Sequence, residues 1–169
     1  MYNLPMRRSR FLRLAACLAV SVLLAGCART REVEKDLKIV DVRTGWFDAG
    51  LVEGSNKLVP SVTLKLQNVS GEAISNVQLL AVFRHVDDDT KNYGDHFVRA
   101  IGSDGLTAGA TGQDLVLRGP VGYTGQEARQ QMLRNRLFVD FKVIVSGKHG
   151  SRNWVRMGEF PIERQLLLK

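Results

Sequence analysis

The sequence predicts an all-β sandwich of about seven strands with one short surface helix. Two observations favour this fold: runs in which apolar and polar residues alternate, and glycines that fall mostly between those runs. Alternation with a period of two places every second side chain on the same face of a strand. Short strands separated by glycine-containing turns are typical of two packed antiparallel sheets.

The clearest strand covers residues 62–67, where Val62, Leu64 and Leu66 alternate with polar residues. Residues 77–86 and 137–146 form two other strongly apolar runs and predict strands of the same kind. Shorter strands are predicted at residues 37–46, 96–101, 114–118 and 154–162. We expect the most buried side chains to be those of Leu64, Leu66, Leu79, Phe83, Val139 and Phe141.

One segment departs from the alternating pattern and predicts a helix. Thr124 and Glu127 have the spacing of a capping box, in which each side chain binds the backbone N–H of the other residue. Residues 128–136 are mostly good helix formers, and Met132 and Leu133 are the only large apolar residues among them. We therefore expect a short surface helix that packs over one edge of the sandwich.

The N-terminus has the composition of an export signal. Residues 1–13 contain four arginines and no acidic residue, and residues 14–26 are apolar or small throughout. A helix over the apolar run would be about 20 Å long, shorter than the roughly 30 Å hydrocarbon core of a bilayer. A secretory signal peptide is therefore favoured over a membrane-spanning helix. Two residues separate the pair Arg7-Arg8 from Phe11 where a twin-arginine signal has one, which favours export in the unfolded state.

The apolar run ends in Leu24-Ala25-Gly26-Cys27, which resembles the lipobox of bacterial lipoproteins. The resemblance implies cleavage before Cys27, a thioether-linked diacylglycerol on its sulfur and usually an acyl chain on its nitrogen. The chain would then divide into a lipoprotein signal peptide (1–26), a lipidated tether (27–36) and the sandwich domain (37–169). The alternative is an ordinary signal peptide that is cleaved near a cysteine.

The residue after this cysteine bears on the location of the protein. Ala28 stands there, whereas Asp at this position favours retention in the inner membrane of enteric-type bacteria. The resemblance therefore implies a lipid-anchored protein of a Gram-negative outer membrane, facing the periplasm. The other cysteine, Cys17, lies in the predicted signal peptide, so the mature domain has no disulfide available.

The charge of the chain argues against one class of function. There are 24 Lys and Arg against 17 Asp and Glu, a formal net charge of +7. Four of the positive charges lie in the first 13 residues, which leaves +3 once the predicted signal peptide is removed. Such a modest excess does not support nucleic-acid binding, and we expect no nucleic-acid partner.

Residues 62–86 resemble bacterial immunoglobulin-like domains of the FxLYD type. The shared features are an alternating strand, the turn Asn68-Val69-Ser70, and Ile74-Ser75-Asn76-Val77 leading into an apolar strand. The segment Leu106-Thr107-Ala108-Gly109 is similar to the Leu-x-x-Gly connection of that family. The Phe-x-Leu-Tyr-Asp motif itself is absent. The segment Phe83-Arg84-His85-Val86-Asp87 shares only the first and last residues of that motif. The resemblance implies an immunoglobulin-like sandwich and no particular activity.

The sequence contains no recognisable set of catalytic residues. A Gly-x-Ser-x-Gly motif is absent, and the two cysteines lie in the signal peptide and at the predicted lipidation site. We therefore expect a protein that is not an enzyme and has no cofactor beyond its covalent lipid on Cys27. The weak alternative is a metal or small-ligand site in the polar segment 87–96, where Asp87, Asp89 and His96 carry suitable donor atoms.

Basic and aromatic residues late in the chain predict a surface for a partner. Arg129, Arg134 and Arg136 lie on or after the predicted helix, and Trp154 begins the last predicted strand. Arginine and tryptophan are frequent at the energetic centres of protein interfaces. The sequence therefore predicts a protein-binding or scaffolding module of the cell envelope, held at the membrane by its lipid. A metal- or small-ligand-binding lipoprotein is the alternative.

Overall fold

The computed structural model describes residues 31–167, which form nine strands and two short helices. The helices are α1 (Val33–Asp36) and α2 (Arg129–Met132). The strands are β1 (Leu37–Val52), β2 (Ser55–Asn68), β3 (Val77–His85), β4 (Asp95–Ile101), β5 (Leu115–Arg118), β6 (Tyr123–Gly125), β7 (Phe141–His149), β8 (Val155–Pro161) and β9 (Leu166–Leu167). The predicted signal peptide and Cys27 lie outside the described residues.

The strands form two sheets that pack as a sandwich. One sheet has the order β5-β2-β1-β9, with β6 also paired to β2, and the other has the order β4-β3-β7-β8. Apart from β6 and β9, the orders β5-β2-β1 and β4-β3-β7-β8 match the E-B-A and C′-C-F-G strand orders of an immunoglobulin-like sandwich. The predicted all-β sandwich is confirmed, and the described residues contain nine strands where about seven were expected.

The frame of the first sheet is one long antiparallel hairpin made by β1 and β2. Val52 pairs with Ser55, and the two residues between them, Glu53 and Gly54, have positive φ angles of 50° and 78°. Positive φ at both positions is the geometry of a type I′ turn, whose twist suits a hairpin. Both strands extend beyond the segments predicted for them because this turn keeps them paired to the tip.

A buried asparagine joins two turns at the far end of β2. The Asn68 side chain donates hydrogen bonds to the carbonyl oxygens of Glu72 (2.9 Å) and Leu106 (2.8 Å). Its Oδ1 accepts hydrogen bonds from the backbone N–H and the hydroxyl of Ser70. Both amide hydrogens and the amide oxygen are therefore used, which fixes the turn after β2 to the connection before β5.

The core lies between the two sheets. The alternation in β2, β3 and β7 directs every second side chain of these strands into it. The largest fully buried side chain is that of Trp46 in β1, which packs edge-on against Phe141 of the other sheet. The predicted core residues that are buried are Leu64, Leu66, Leu79, Phe83 and Phe141. Large apolar side chains thus tie the first sheet to the second.

The strand predicted at residues 137–146 begins four residues later, at Phe141. Val139 is 41% exposed, so the prediction that it belongs to the core is wrong. The Tyr123 hydroxyl accepts a hydrogen bond from the Val139 N–H (2.7 Å) and donates one to its carbonyl oxygen (3.1 Å). These bonds hold the backbone away from the strand ladder, and Phe138 enters the core instead.

The predicted capping box and the length of the predicted helix are also wrong. Thr124 lies in β6 and pairs with Lys57 of β2. The helix α2 has four residues, and its N-cap is Ala128, which makes no side-chain capping bond. Pairing with the long hairpin outweighs the local helix preference of this segment. Within residues 31–167, no helix is long and apolar enough to span a membrane.

Residues 31–36, which the sequence predicts to be tether, pack against the sandwich. Val33 of α1 is buried. The Arg31 guanidinium forms ion pairs with Glu72 (2.6 Å) and Asp36 (4.0 Å). The compact unit therefore includes residues 31–36, which the sequence predicted to be part of the tether.

Candidate functional site

The sandwich has two ends that carry different surfaces. We call one the Arg31 end; it comprises Arg31, α1 and the turn between β7 and β8 (150–154). We call the other the hairpin end; it comprises the tip of the β1–β2 hairpin (51–55), β6 and residues 126–138. β1 runs from one end to the other over 16 residues. At about 3.3 Å per residue, the ends are separated by up to roughly 50 Å.

The tip of the long hairpin is apolar and exposed. Leu51 is 69% exposed and Val52 is 42% exposed. The segment after β6 lies beside this tip, because the Asn56 side chain donates a hydrogen bond to the Glu127 carbonyl oxygen (2.8 Å). Two large apolar side chains exposed side by side at the end of a strand are unusual for a surface that contacts only water.

A cleft of about 390 Å³ opens on this end of the molecule. It is lined by residues 123–127 together with Met132, Asn135, Leu137 and Phe138. Its floor is aromatic, since Tyr123 stacks on Phe138 with 4.3 Å between the ring centroids. Leu137 also lines the cleft and is 85% exposed, the highest value for a large hydrophobic residue within residues 31–167. An apolar cleft of this kind can receive a side chain from a partner.

The three arginines predicted to contact a partner all lie at the hairpin end, but their surroundings differ. Arg129 in α2 forms an ion pair with Asp48 of β1 (2.5 Å), which fastens the helix to the hairpin. Arg134 and Arg136 are exposed in the segment that follows α2. Arg129 therefore has a structural partner, whereas Arg134 and Arg136 present positive charge to solvent. Arg136 lies in the chain between two residues that line the apolar cleft, and Arg134 lines a separate depression beside Leu133 and Arg164.

Trp154, the fourth predicted contact residue, lies at the Arg31 end. Its ring is edge-on to that of Phe97, with 6.2 Å between the centroids, and the Lys148 ammonium lies 4.7 Å from its centroid. Trp154 is 38% exposed and Phe97 is 53% exposed. The four residues predicted to share one binding surface therefore lie on two separate surfaces.

The residues of the alternative metal site are not brought together. The Asp89 carboxylate forms an ion pair with Lys142 (2.6 Å), and Asp87 is exposed in the turn after β3. His96 Nδ1 lies within hydrogen-bond distance of both the backbone N–H (3.2 Å) and the carbonyl oxygen (3.1 Å) of Arg118, which links β4 to β5. Among residues 31–167, no three histidine, cysteine or acidic side chains lie close enough together to hold a metal ion.

The histidine at the end of β3 is a packing residue. His85 stacks on Tyr93 with 3.8 Å between the ring centroids and meets the ring of Phe141 edge-on. Burial among these rings lowers the pKa of His85 from its ordinary value, because the charged form is poorly solvated there. The fold therefore favours the neutral imidazole.

The apolar residues of the hairpin end were not among the predicted contact residues. In the sequence, the tip of the hairpin is indicated by the pair Glu53-Gly54, which directly follows two apolar residues. This pair is similar to the Asp-Gly pair that is typical of two-residue hairpin turns. No local signal exists for Leu137, because its exposure follows from the late start of β7.

No protein-family model matches the sequence. No curated protein matches it. Among solved structures, the chain is similar to the X-ray structure of Northeast Structural Genomics Consortium target SoR45, with a TM-score of 0.41 and 9% sequence identity. The alignment covers 78% of this chain and 89% of that chain.

Proposed function

We propose that this chain is a lipid-anchored protein of the bacterial cell envelope that binds another protein and catalyses no reaction. The lipobox-like segment Leu24-Ala25-Gly26-Cys27 supports the anchor, and Ala28 supports an outer-membrane location facing the periplasm. Two or more acyl chains on Cys27 would suffice for stable attachment, where a single chain is marginal. The sandwich is then a recognition module held at the membrane surface.

The observation that carries the binding role is the exposed apolar surface of the hairpin end. Leu51, Val52 and Leu137 expose large side chains at the end that also holds a cleft with an aromatic floor. Exposed apolar surface rimmed by polar groups marks interaction sites on soluble domains. Its burial by a partner contributes about 25 cal/mol per Å² of apolar surface, before the cost of association.

The charges of the hairpin end define the chemistry of the partner. Arg134 and Arg136 precede Leu137 closely along the chain, and both are exposed. A partner that inserts an apolar side chain into the cleft and carries acidic groups around it satisfies both features. Rim charges chiefly accelerate association, whereas the apolar contacts set the lifetime of the complex. We therefore propose an acidic protein surface with a central apolar residue as the partner.

The position of the anchor suits binding at this end. Arg31, where the folded unit begins, lies at the opposite end of β1 from Leu51. A lipid on Cys27 therefore leaves the hairpin end free to meet a partner in the periplasmic space while the chain stays attached.

Co-purification from detergent-solubilised envelopes tests the binding role. Leu137→Ser should reduce recovery of a specific partner about tenfold, which corresponds to a loss of about 1.4 kcal/mol from a central apolar contact. Arg134→Glu combined with Arg136→Glu should reduce recovery at low salt and matter less at high salt. Val116→Ser, at an exposed apolar residue of β5, is the matched control.

Thermal melting of each variant separates lost binding from lost folding. Arg129 is left unchanged in this series, because Arg129→Glu would set a second carboxylate against Asp48. All the variants should melt close to wild type, since the changed side chains are exposed. Recovery that survives Leu137→Ser but falls in Val116→Ser would place the binding surface elsewhere.

The anchor has a test of its own. Cys27→Ser should remove the lipid and leave the protein at precursor size, or soluble after another cleavage. Intact-mass measurement of the wild type should find the added diacylglycerol on the N-terminal cysteine. Unchanged mass and membrane retention in the variant would refute the lipoprotein proposal.

A further inference from the structure

We propose that one corner of the sandwich rests on the anionic headgroups of the membrane to which the chain is anchored. We call it the Trp154 corner; its residues are Phe97, Arg99, Lys148, Arg152 and Trp154. The inference rests on the proposed lipidation of Cys27. It goes beyond that function because it assigns an orientation to the domain and a class of lipid to this surface.

A short tether keeps the Arg31 end close to the membrane. Only residues 28–30 separate Cys27 from Arg31, so at about 3.5 Å per residue the chain between them spans at most roughly 14 Å. Arg31 is itself fixed to the sandwich by its ion pairs with Glu72 and Asp36. A lipid on Cys27 therefore confines this end of the domain to the neighbourhood of the headgroups.

The Trp154 corner adjoins that end. The neighbours of Trp154 in the chain, Asn153 and Val155, line a shallow cleft together with residues 31–34. The Trp154 ring packs against Phe97 of β4, on the outer side of the sheet β4-β3-β7-β8. The exposed aromatic pair is thus next to the point where the tether enters the domain.

The exposed groups of this corner have the chemistry of a lipid interface. Tryptophan prefers the boundary between headgroups and hydrocarbon, where its apolar ring and its N–H are both satisfied. Gln78 pairs with both Arg99 and Lys148, so these two cations lie in one row on the same face of the sheet. Cations at this depth attract anionic lipid and fix the orientation of the aromatic side chains.

The positive charge of the corner is only partly balanced within the fold. Lys35 chiefly, and Arg152 more weakly, lower the pKa of the Glu32 carboxyl. Two carboxylates near the tether form ion pairs with cations outside the corner, Glu32 with Lys35 (2.5 Å) and Glu72 with Arg31 (2.6 Å). The cations of the Trp154 corner form no ion pair within residues 31–167. They are therefore available to a phosphate group of a lipid, which a tether of this length brings within reach.

Tryptophan fluorescence of the reconstituted lipidated protein tests this orientation. The chain has two tryptophans, and Trp46 is fully buried, so an environment-sensitive emission reports Trp154. The protein is placed in phosphatidylcholine vesicles, with or without phosphatidylglycerol, whose acyl chains are brominated near the headgroup. We expect bromine to quench the wild-type emission in the anionic vesicles and to leave the emission of Trp154→Phe unchanged.

Two further variants make the test specific. Lys148→Glu combined with Arg152→Glu should abolish most of the quenching in anionic vesicles, because the attraction becomes repulsion. Leu137→Trp in a Trp154→Phe background moves the reporter to the hairpin end and should be insensitive to bromine. Wild-type emission that bromine does not change, or quenches equally in neutral vesicles, would overturn the inference.

The mass of the Cys27 peptide, measured on the same sample, separates this inference from the function on which it rests. A cysteine without lipid would refute the anchor and this orientation together. A lipidated cysteine with an unquenched Trp154 would refute only the orientation.

Discussion

The ring of Trp46 lies edge-on to the ring of Phe141, with 5.6 Å between the centroids and 83° between the planes. Trp46 belongs to β1 and Phe141 to β7, so this contact joins the two sheets. Phe138 also meets Trp46 edge-on, at 4.7 Å, and stacks on Tyr123 in the cleft of the hairpin end. The core and the candidate binding surface therefore share one aromatic cluster.

Truncation of this cluster should destabilise the whole sandwich. Phe141→Ala deletes a buried ring, and changes of this kind cost about 3–5 kcal/mol of unfolding free energy. Urea denaturation followed by fluorescence measures that free energy. Leu137→Ala is the control, because substitution of an exposed side chain changes stability by less than about 0.5 kcal/mol. A loss below about 1 kcal/mol in Phe141→Ala would contradict the inter-sheet role of the ring.

Asn68 should be intolerant even of an isosteric change. Asn68→Asp replaces two donated hydrogen bonds by a carboxylate that faces the carbonyl oxygens of Glu72 and Leu106. We expect a loss on the order of 2–4 kcal/mol at neutral pH, because buried acceptors are left unpaired. Asn76→Asp is the control, since Asn76 is exposed. Equal denaturation midpoints for the two variants would count against the bridging role of the Asn68 amide.

Burial of His85 predicts a pH dependence of stability. Its folded-state pKa lies below the ordinary value of 6.5, so the fold disfavours the charged form. The stability that depends on the neutral imidazole is complete above that value and is lost as the pH falls below it. Asp140 does not titrate in this range, because its hydrogen bond with Arg164 holds the pKa of that carboxyl below its usual value.

The measurement is the melting temperature at two pH values. Between about pH 7.5 and about pH 5.5, the wild type should lose more thermal stability than His85→Phe, which keeps a ring against Tyr93 and removes the titratable group. Identical losses in the two proteins would mean that His85 ionises as freely in the fold as in the unfolded chain.

The strands could be predicted from the sequence where one face of the strand is buried and the other face is exposed to solvent. In β2, Leu64 and Leu66 are buried, while Lys65 between them is only partly buried, and this contrast is the alternation visible in the sequence. The break before β7 could not be predicted in the same way. Leu137 and Val139 look like inward-facing strand residues, but the Tyr123 hydroxyl, from a distant segment, binds the backbone of Val139.

The candidate sites depend still more on long-range placement. Arg134 and Trp154 are 20 residues apart in the chain and lie at opposite ends of the sandwich, because β7 returns the chain from the hairpin end to the Arg31 end. The charge of Arg134 and the residue type of Trp154 led to the prediction that both contact a partner. Only the strand order shows that they belong to different surfaces, and sequence spacing carries no information about it.

Crosslinking in living cells tests most directly whether the domain is anchored by one end and binds a protein with the other. A photoreactive diazirine amino acid replaces Leu137 or Trp154 in the full-length chain, and irradiated cells are analysed by immunoblotting and mass spectrometry. We expect a discrete protein adduct from position 137, and lipid adducts without a protein adduct from position 154. A protein adduct from position 154 with none from position 137 would contradict this arrangement.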